Sequence, residues 1–427
     1  MPTPADGPVG SIDDRLAASG FDPLPRPVWL EIDLDALANN VRVLRELIGP
    51  GVELSIAVKA DAYGHGLNSV ALGLESAGVD RLCVASVDEA LALRKAGVLI
   101  PVLVLFAVPV SHLEAAAEAR IEVSASSEVS AADLVSWARS ADKASELAVH
   151  VEVETGLTRG GIMVNRVADV IARLRTAALN VRVAGMWTHM ATPEDEAFTA
   201  GQVAAFDEAV ESVRDAGVAL PLRHLAATGG LLSGRVPAYE GVRIGLGAYG
   251  LVPPDLPMQE RERGFADRLQ PVMALKCHAL RMERFPAGVR VSYGGRWKTE
   301  RESVIATLPV GYGDAIPRPA PWGEALVKGQ RVPLVGTVAM DAVMADVTDV
   351  ADGLGAEDEF VLLGSQGSDE ISAVELARSR NTIPWEVVTG MFYRIPRVYH
   401  AGSVLTGVRT LNSETRVSLT GGQQWEI

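Results

Sequence analysis

The sequence predicts an α/β protein, a (β/α)8 barrel of the TIM type followed by a mainly antiparallel β domain. Between about residues 54 and 250, eight short apolar runs alternate with segments of helical periodicity. Beyond residue 264 the helical periodicity is mostly lost, and β-type runs separated by Gly and Pro continue to the C-terminus. Eight strands with right-handed crossovers could also form an open doubly wound sheet, but the count of eight and a spacing of roughly 20–35 residues per unit favour a closed barrel.

The predicted barrel strands are short runs rich in Val, Ile and Leu. The segments between them are rich in Ala and Leu, and several end in Ala-Gly, where the glycine suits the left-handed residue that ends many helices. Catalytic side chains of such barrels lie at the C-terminal ends of the strands, which makes the residues at these ends candidate site residues. The runs are residues 54–58, 82–86, 102–106, 121–124, 148–153, 183–188, 222–226 and 242–245.

The residue pattern divides the chain into three parts. Residues 1–27 contain prolines and acidic residues but no apolar segment like that of a secretion signal, so we expect a disordered or loosely held extension. Residues 28–264 are expected to form the barrel and to end in a polar, proline-containing linker. Residues 265–427 are expected to form the C-terminal β domain.

The composition excludes several classes of partner. Lys and Arg number 39 and Asp and Glu 54, which gives a net charge of −15 and a surface that repels phosphate backbones and anionic lipid. The longest apolar run, residues 98–110, contains two prolines and is too short to span a bilayer. The two cysteines, Cys83 and Cys277, are far apart in the sequence and predict reduced, buried thiols. We therefore expect a cytoplasmic protein with no nucleic-acid or membrane partner.

The most distinctive segment is Ala57–Gly66, with the sequence AVKADAYGHG. A predicted apolar strand ends at Lys59, which places this lysine in the mouth of the barrel. A lysine that is partly withdrawn from water has a lowered pKa and can attack an aldehyde. A lone lysine after a strand is usually an ordinary surface residue. A chemical role for Lys59 is favoured by the apolar strand that precedes it and by the glycines, Tyr63 and His65 that follow.

Two glycine-containing strand ends are suited to binding one phosphate group. Gly245–Gly250 matches the GxGxxG pattern of dinucleotide sites, but two prolines at 253 and 254 come too soon for the helix that such a site needs. Its backbone N–H groups can still bind a single phosphate, as can those of Thr228–Gly230 with the Thr228 hydroxyl. Both lie at the last two predicted strands, where barrels often bind phosphate.

Three further candidates are Arg159, His189 and Arg243, each at or near the end of a predicted strand. Alone, each is more often a structural residue. Together with Lys59 they suit pyridoxal phosphate, because the lysine can bind the aldehyde and the arginines can surround the ring. The spacings typical of metal sites and of Ser-His-Asp hydrolases are absent from the sequence, so we expect no metal.

These motifs resemble those of the alanine racemase family, the pyridoxal phosphate enzymes of fold type III, over nearly the whole chain from residue 28. AVKADAYGHG is similar to the family's cofactor-lysine signature. The resemblance implies the same barrel and β domain, and an isomerase that interconverts L- and D-alanine, the D form feeding peptidoglycan. Further matching segments, in family order, are residues 155–159, 187–189, 242–245, 291–294, 308–314, 339–341 and 393–397.

The resemblance also implies roles for single residues. Lys59 would hold the cofactor as an aldimine and act as the base on one face of the substrate Cα. Tyr293 of the second subunit, in a head-to-tail homodimer with shared active sites, would be the base on the other face. Arg243 would face the pyridine nitrogen, and His189 would link Arg243 to Tyr293. The other implied contacts are Arg159 and Met340 with the substrate carboxylate, Arg159 with the cofactor's phenolic oxygen, Tyr63, Thr228, Gly245, Leu246 and Tyr393 with the phosphate, and Tyr312 and Asp341 beside the path of the incoming substrate.

Two departures from the family pattern leave the substrate open. Glu152 stands where the family commonly has a carbamylated lysine near Arg159, and Ala227-Thr228-Gly229 replaces the usual Asn-Ser-Ala. One alternative is therefore a racemase of the same fold for another small amino acid, such as serine. A second alternative is a non-catalytic pyridoxal phosphate-binding protein, but such proteins consist of the barrel alone.

Overall fold

The computed structural model describes residues 10–140, 145–177, 180–319, 323–402, 404–417 and 424–426. The chain forms two compact units. Of the described residues, the barrel unit contains those of Leu37–Ala62 and Val70–Gln270, and the β unit contains those up to Ala36, those of Tyr63–Ser69 and those from Pro271 onwards. Among the helices of these described ranges, none is long and apolar enough to cross a bilayer.

The barrel unit has eight parallel strands that close into a ring, as predicted. Each strand pairs with its two neighbours, and the ring is complete because Ile121–Ala125 pairs with Leu147–Glu154, while Gly241–Ile244 pairs with Glu53–Ala57. The parallel order requires a crossover after each strand, and buried Val, Ile and Leu residues fill the strands. The eight strands are Glu53–Ala57, Arg81–Val84, Val102–Val104, Ile121–Ala125, Leu147–Glu154, Val181–Trp187, Leu222–His224 and Gly241–Ile244.

Helices connect these strands, and two of them begin at a side-chain cap. Ser127 Oγ accepts the N–H of Ser130 at 3.0 Å, and Asp195 accepts that of Phe198 at 2.9 Å. A two-residue strand, Ile162–Met163, also pairs with the fifth barrel strand. The helices of this part of the chain are Leu34–Ile48, Leu67–Ser76, Val87–Lys95, Leu113–Glu118, Glu128–Arg139, Val167–Ala177, Glu196–Asp215, Thr228–Leu232 and Glu260–Ala266.

The β unit is built on one large sheet whose described pairings are antiparallel with a single exception, which confirms the prediction of a mainly antiparallel domain. The exception is the parallel pair of Val28–Asp33 and Arg397–Ala401. In spatial order the sheet contains Arg281–Phe285, Ser303–Leu308, Val343–Asp346, Gln330–Val335, Glu324–Val327, Glu359–Gln366, Met273–His278, Val28–Asp33, Arg397–Ala401, Val404–Arg409, Glu414–Val417 and Gln424–Glu426, with Asp369–Ile371 beside Glu359–Gln366. Arg290–Val291 and Trp297–Lys298 form a separate pair, and the helices are Ile12–Ala18, Ala373–Ser379 and Pro384–Thr389.

The strand Val28–Asp33 does not belong to the barrel, although the predicted barrel began at residue 28. It pairs with Met273–His278 on one side and with Arg397–Ala401 on the other. The buried Glu31 explains the preference, because its carboxylate pairs with Arg15 and Lys276 of the same unit at 2.5 Å each. The apolar pattern of this strand cannot distinguish one sheet from the other. The predicted domain limit at residue 264 stays a prediction.

Part of the predicted N-terminal extension is folded. Ser11 caps a helix over Ile12–Ala18, and the helix buries Ile12 and Leu16 in a cluster that also contains Trp29 and Leu405. Residues 12–18 are thus packed rather than loosely held, because their apolar spacing of four places both side chains on one helix face. The rest of the predicted extension that precedes residue 10 lies outside the described residues.

Candidate active site

Lys59 begins a left-handed turn directly after the first barrel strand and Val58. The next four residues, Ala60–Tyr63, have φ values of 53°, 57°, 52° and 53°. None of them is glycine, and a left-handed helical conformation costs roughly 1–2 kcal/mol for each such residue. Backbone strain of this kind persists only where the surroundings impose it, and it concentrates at functional sites.

Glu89 imposes part of this turn. Its Oε1 accepts the N–H of Ala60 at 2.7 Å, while its Oε2 accepts those of Ala85 and Ser86 at 2.8 and 3.2 Å. Glu89 is the acidic member of the capping box that starts the helix Val87–Lys95. The sequence analysis missed this residue, although the Ser86-x-x-Glu89 spacing marks a helix start and could have pointed to it.

The Lys59 amine is held towards its neutral form. Burial lowers its pKa, and the positive charges of Arg159 and Arg243 lower it further. A neutral amine is the form that attacks a carbonyl or accepts a proton. The lowered pKa favours the form of Lys59 that the predicted role requires, and the role itself stays a prediction.

Arg243 is buried at the end of the eighth barrel strand. One guanidinium nitrogen donates to the carbonyl oxygen of His224 and lies 3.1 Å from its Nδ1, and the other donates to the carbonyl of Thr188 at 2.6 Å. The guanidinium also lies 4.5 Å from the ring centre of Trp187. Burial lowers the pKa of Arg243 to about 10, so the side chain remains a cation at neutral pH.

His189 follows the sixth strand and is neutral. Burial and the charges of Arg243 and Arg159 lower its pKa to about 3. Its Nδ1 lies 3.5 Å from a guanidinium nitrogen of Arg243, a long contact in which the imidazole accepts. Gln202, which the sequence analysis missed and no local pattern marks, holds this loop by donating to the His189 carbonyl at 3.2 Å and accepting from the N–H of Ala191 at 2.9 Å.

Arg159 follows the fifth strand and is less constrained than the family pattern implied. Its guanidinium lies 3.9 Å from the Glu152 carboxylate, beyond hydrogen-bond distance, and 5.6 Å from the ring centre of Phe106. Burial raises the pKa of Glu152. The shorter carboxylate side chain thus leaves a loose ion pair where the family commonly has a longer modified lysine.

Thr228 and the Gly245–Leu246 segment lie together on the last two strands of the barrel unit. Thr228 begins a short helix, and its hydroxyl accepts the N–H of Gly247 at 3.1 Å. A Cβ on Gly247 would lie 3.1 Å from the Thr228 methyl group, so glycine permits this close approach. Leu246 then starts a single 3-10 turn over Leu246–Tyr249. The predicted phosphate-binding groups of the barrel unit are therefore neighbours.

Positive charge gathers at this end of the barrel and suits an anionic ligand. The charges of Arg159 and Arg243 lower the pKa of Lys59, and the charge of Arg159 lowers that of Arg243, where Glu152 offsets part of the effect. A phosphate-bearing aldehyde matches both the excess charge and the amine. No group of three or more potential metal ligands occurs among the described residues.

The other predicted site residues belong to the β unit. Tyr63 is buried, whereas Tyr293 is 70% exposed, Tyr393 55% and Met340 53%. Tyr293 lies in a tight turn in which Ser292 and Gly294 have φ values of 61° and 74°. Such solvent-facing aromatic and apolar side chains are available for contact with another surface.

The segment Met340–Asp341 is anchored through the buried carboxylate of Asp314. Arg394 donates to Asp314 at 2.8 Å, to the Met340 carbonyl at 3.3 Å, and pairs with Asp341 at 2.7 Å. Arg26, from the N-terminal part of the chain, also pairs with Asp314 at 2.9 Å. Tyr312 joins the same segment through its N–H, which donates to the Ala339 carbonyl at 3.0 Å.

Comparison with known proteins gives one consistent family. Residues 32–253 match the family model "Alanine racemase, N-terminal domain", and residues 272–399 match "Alanine racemase, C-terminal domain". The chain is 34% identical over 379 residues to alanine racemase of Halothermothrix orenii, covering 88% of this chain and 97% of that one. It is 36% identical over 377 residues to alanine racemase of Desulfovibrio desulfuricans, covering 88% and 98%.

Solved structures agree with the sequence matches. A crystal structure of alanine racemase from Bacillus anthracis with bound L-Ala-P has 31% identity and a TM-score of 0.82, covering 91% of this chain and 99% of that one. The alanine racemase from a D-cycloserine-producing Streptomyces lavendulae has 32% identity and a TM-score of 0.79, covering 89% and 98%. Both the barrel and the β unit are therefore present in the proteins that this chain resembles.

Proposed function

The chain belongs to the alanine racemase family, a family of isomerases, and from that premise we propose that it interconverts L- and D-alanine with pyridoxal phosphate as cofactor. The observation that carries the proposal is the convergence of Lys59, Arg159, His189 and Arg243 at one end of the barrel, with the lysine pKa lowered. Each of these groups suits one part of the chemistry.

Pyridoxal phosphate supplies an electron-withdrawing ring that makes the substrate Cα–H acidic. Lys59 would bind the cofactor covalently through its amine, and Arg159 would donate to the cofactor's phenolic oxygen. Arg243 would face the ring nitrogen, and since a guanidinium keeps its proton, that nitrogen would stay neutral. Tyr63, Thr228, Gly245, Leu246 and Tyr393 would hold the phosphate, and Thr228 and the Gly245–Leu246 backbone are neighbours in the barrel unit.

Racemisation requires two bases. A proton must leave one face of the Cα and return to the other, and a single fixed group returns it to the same face. Lys59, with its lowered pKa, accepts and returns the proton on one face. Tyr293 of the partner subunit does so on the other face, and neutral His189 donates a hydrogen bond from Nε2 to the phenol oxygen while its Nδ1 accepts from Arg243.

Residues of the barrel and of the β unit hold the substrate. Arg159 binds the carboxylate together with the backbone N–H of Met340, and Tyr312 and Asp341 line the path to the site. Tyr393, whose ring lies 4.5 Å from the Arg409 guanidinium carbon, limits the size of the side chain. The anchoring of Met340 and Asp341 through Arg394 and the buried Asp314 supports this placement.

The proposal includes a head-to-tail homodimer in the cytoplasm whose two sites are shared. The exposed phenol of Tyr293 supports it, because a base that is 70% exposed in one chain needs a neighbour to bury it. The D-alanine that is formed would feed peptidoglycan.

Another small amino acid, such as serine, is the alternative substrate. The loose contact between Arg159 and Glu152 at 3.9 Å is the observation that favours it, because the arginine that binds the carboxylate has more freedom than a closer partner would allow. A slightly displaced carboxylate would change which side chain fits.

The test is chiral analysis of amino acids after incubation with the purified, cofactor-loaded protein. L-alanine should become an equal mixture of the enantiomers, and kcat/KM for alanine should exceed that for serine by at least about tenfold. Lys59→Ala serves as the inactive control, and Tyr239→Phe, at a distant tyrosine, as the active one. Faster turnover of serine would overturn the assignment of alanine, and unchanged enantiomers of both would overturn the proposed activity.

A further inference from the structure

A line of buried polar side chains runs through the barrel away from Arg243. The guanidinium lies 3.1 Å from His224 Nδ1, His224 Nε2 lies 2.9 Å from His150 Nδ1, and His150 Nε2 lies 3.1 Å from a Glu122 oxygen. Both histidines are buried, with exposures of 0% and 1%. We call these four residues, Arg243, His224, His150 and Glu122, the relay. It extends from the catalytic end of the barrel towards the starts of the strands.

Two local features of the barrel strands position the His150 ring: a shift in strand register and a glycine on the neighbouring strand. The pairing of Leu147–Glu154 with Val181–Trp187 shifts register between Val149 and His150, and such a bulge re-aims a side chain. Gly185 on the neighbouring strand leaves room for the ring, since a Cβ there would lie 2.1 Å from His150 Nδ1. Both its own strand and the neighbouring strand therefore determine the position of the His150 ring.

The donors of the relay can point in only one direction. Arg243 has only N–H groups to offer, so His224 Nδ1 must accept. Burial lowers the pKa of His224 well below its ordinary value and keeps the ring neutral, so the proton is on Nε2 and points at His150 Nδ1. His150 is also neutral through burial, and its own proton is therefore on Nε2, facing Glu122. Each ring is thus restricted to one tautomer.

Glu122 ends the line as an acceptor with no proton to donate. Burial would raise its pKa, but the hydrogen bond from His150 and the charge of Arg81 lower the pKa to about 2. Arg81 donates to the same carboxylate at 2.8 Å and also contacts Glu53 at 2.5 Å. With an ionised carboxylate at one end and a guanidinium at the other, the reverse direction would place two N–H groups against each other at Arg243. At the other end it would place two acceptors, His150 Nε2 and the Glu122 carboxylate, against each other.

We propose that Glu122 and His150 are positioning residues for Arg243, because the acceptor-only carboxylate fixes both histidine tautomers and so keeps His224 Nδ1 free to accept from the guanidinium. Neither residue reaches the end of the barrel where Lys59 lies. Their effect is to hold the orientation of Arg243, which also lies 3.5 Å from His189. The expected effect on racemisation rests on the proposed function, whereas the predicted tautomers of His150 and His224 are independent of it.

The first test reads the tautomers in the cofactor-free, full-length protein labelled with 15N in histidine. The His150 and His224 signals are assigned by their loss in His150→Gln and His224→Gln. Both rings should carry the proton on Nε2, with an unprotonated Nδ1, at pH 7. A proton on Nδ1 of either ring overturns the proposal, whatever the protein's activity, and this result is independent of whether the chain is a racemase.

The second test removes the acceptor. In Glu122→Leu the Nε2–H of His150 loses its acceptor, and Arg243 alone still favours the original tautomers. Both rings should then show mixed tautomers as the guanidinium shifts away from His224 Nδ1. The kcat should fall by about tenfold or more with a smaller change in KM, since a misplaced catalytic group affects the reaction more than binding. Glu122→Gln, which keeps an oxygen in place, should retain the tautomers and most of kcat. Gly185→Ala, which displaces the His150 ring without changing any titratable group, should act like Glu122→Leu.

The matched control is Glu53→Gln, because Glu53 contacts Arg81 and makes no hydrogen bond to either histidine among the described contacts. It should leave both tautomers and kcat as in the wild-type protein. Unchanged tautomers in folded Glu122→Leu would overturn the proposal, as would mixed tautomers with an unchanged kcat. Should the chain fail to racemise any amino acid, the tautomer results still decide the proposal about the relay.

Discussion

Three histidines of the barrel are neutral for the same physical reason. His150, His224 and His189 are withdrawn from water, and the lost hydration is the largest cause of their lowered pKa values. Neighbouring arginines lower these values further, while Glu122 partly offsets the effect at His150. A neutral imidazole has one donor and one acceptor. In a line of such rings, the donor–acceptor direction of one hydrogen bond therefore determines that of the next. An imidazolium, with two donors, cannot accept from Arg243.

This state makes stability depend on pH. The unfolded chain binds protons at these histidines below a pKa of about 6.5, whereas in the folded chain their pKa values are lowered. The free energy of unfolding of the cofactor-free protein should therefore be largest above pH 6.5 and fall as the pH drops, by up to about 1.4 kcal/mol per pH unit for each histidine that is protonated only in the unfolded chain. Urea unfolding at pH 5, 6, 7 and 8 measures it, and His189→Gln should give a shallower slope. A stability that rises on acidification would contradict this account.

The phenol of Tyr293 is expected to act as a base. Tyr293→Phe should lower kcat for racemisation by about 10²–10⁴-fold, because one of the two proton transfers loses its group. Cofactor absorbance should be unchanged, because Lys59 remains. The control is Tyr239→Phe. Among the described contacts, the hydroxyl of Tyr239 donates only to Asp207, and both residues lie away from the candidate site. Activity close to that of the wild type in Tyr293→Phe would rule out the role.

At the scale of secondary structure, the left-handed turn Ala60–Tyr63 is the costly element. Four non-glycine residues with φ near 55° would not adopt this conformation in isolation. Glu89, at the start of the helix Val87–Lys95, binds the first N–H of the turn and the two N–H groups that precede its own helix. One carboxylate thereby joins the second strand's end to the turn that carries Lys59.

Glu89→Ala should therefore act on both stability and cofactor binding. Three N–H groups lose their acceptor, and the free energy of unfolding should fall by about 1–3 kcal/mol. The affinity for pyridoxal phosphate, followed by absorbance, should fall as the turn relaxes. The neighbouring exposed Asp88→Ala is the control and should lose less of both. Equal losses of stability and of cofactor affinity in the two variants would show that Glu89 does not stabilise the turn.

At the scale of the whole molecule, the proposed bases lie in different units of the chain. Lys59 belongs to the barrel unit and Tyr293 to the β unit. If each active site takes its lysine from one subunit and its tyrosine from the partner, as we propose, the dimer is the smallest active form. Neither unit would then have the complete chemistry.

Complementation tests this arrangement. Lys59→Ala and Tyr293→Phe homodimers should each be inactive, but subunits mixed after denaturation should recover about a quarter of wild-type activity, since half of the dimers are hybrids and each hybrid has one intact site. Recovery should depend on subunit exchange and be absent when the native homodimers are combined briefly. No recovery after full exchange would mean that both bases come from one chain.

Sequence patterns predicted the regular parts of this protein well. The eight strands of the barrel, its closure and the antiparallel character of the β unit are confirmed, because apolar periodicity and glycine punctuation are local signals. The strand Val28–Asp33 was misplaced, since its apolar residues suit either sheet and the buried Glu31 finds its partners Arg15 and Lys276 far away in the sequence. The helix Ile12–Ala18 was missed for a similar reason, because its partners come from the C-terminal strands.

The sequence by itself determined which residue types are available at the barrel's end: an amine after an apolar strand, two arginines, a histidine and two glycine-rich segments. These residue types are identified by their spacing along the chain, which the sequence alone provides. Only the tertiary structure decided which groups act on one another, as when Glu89 bends the chain beyond Lys59 or when Glu122 and two histidines face Arg243. Such contacts join residues far apart in the chain, and their protonation depends on burial that only a folded barrel creates.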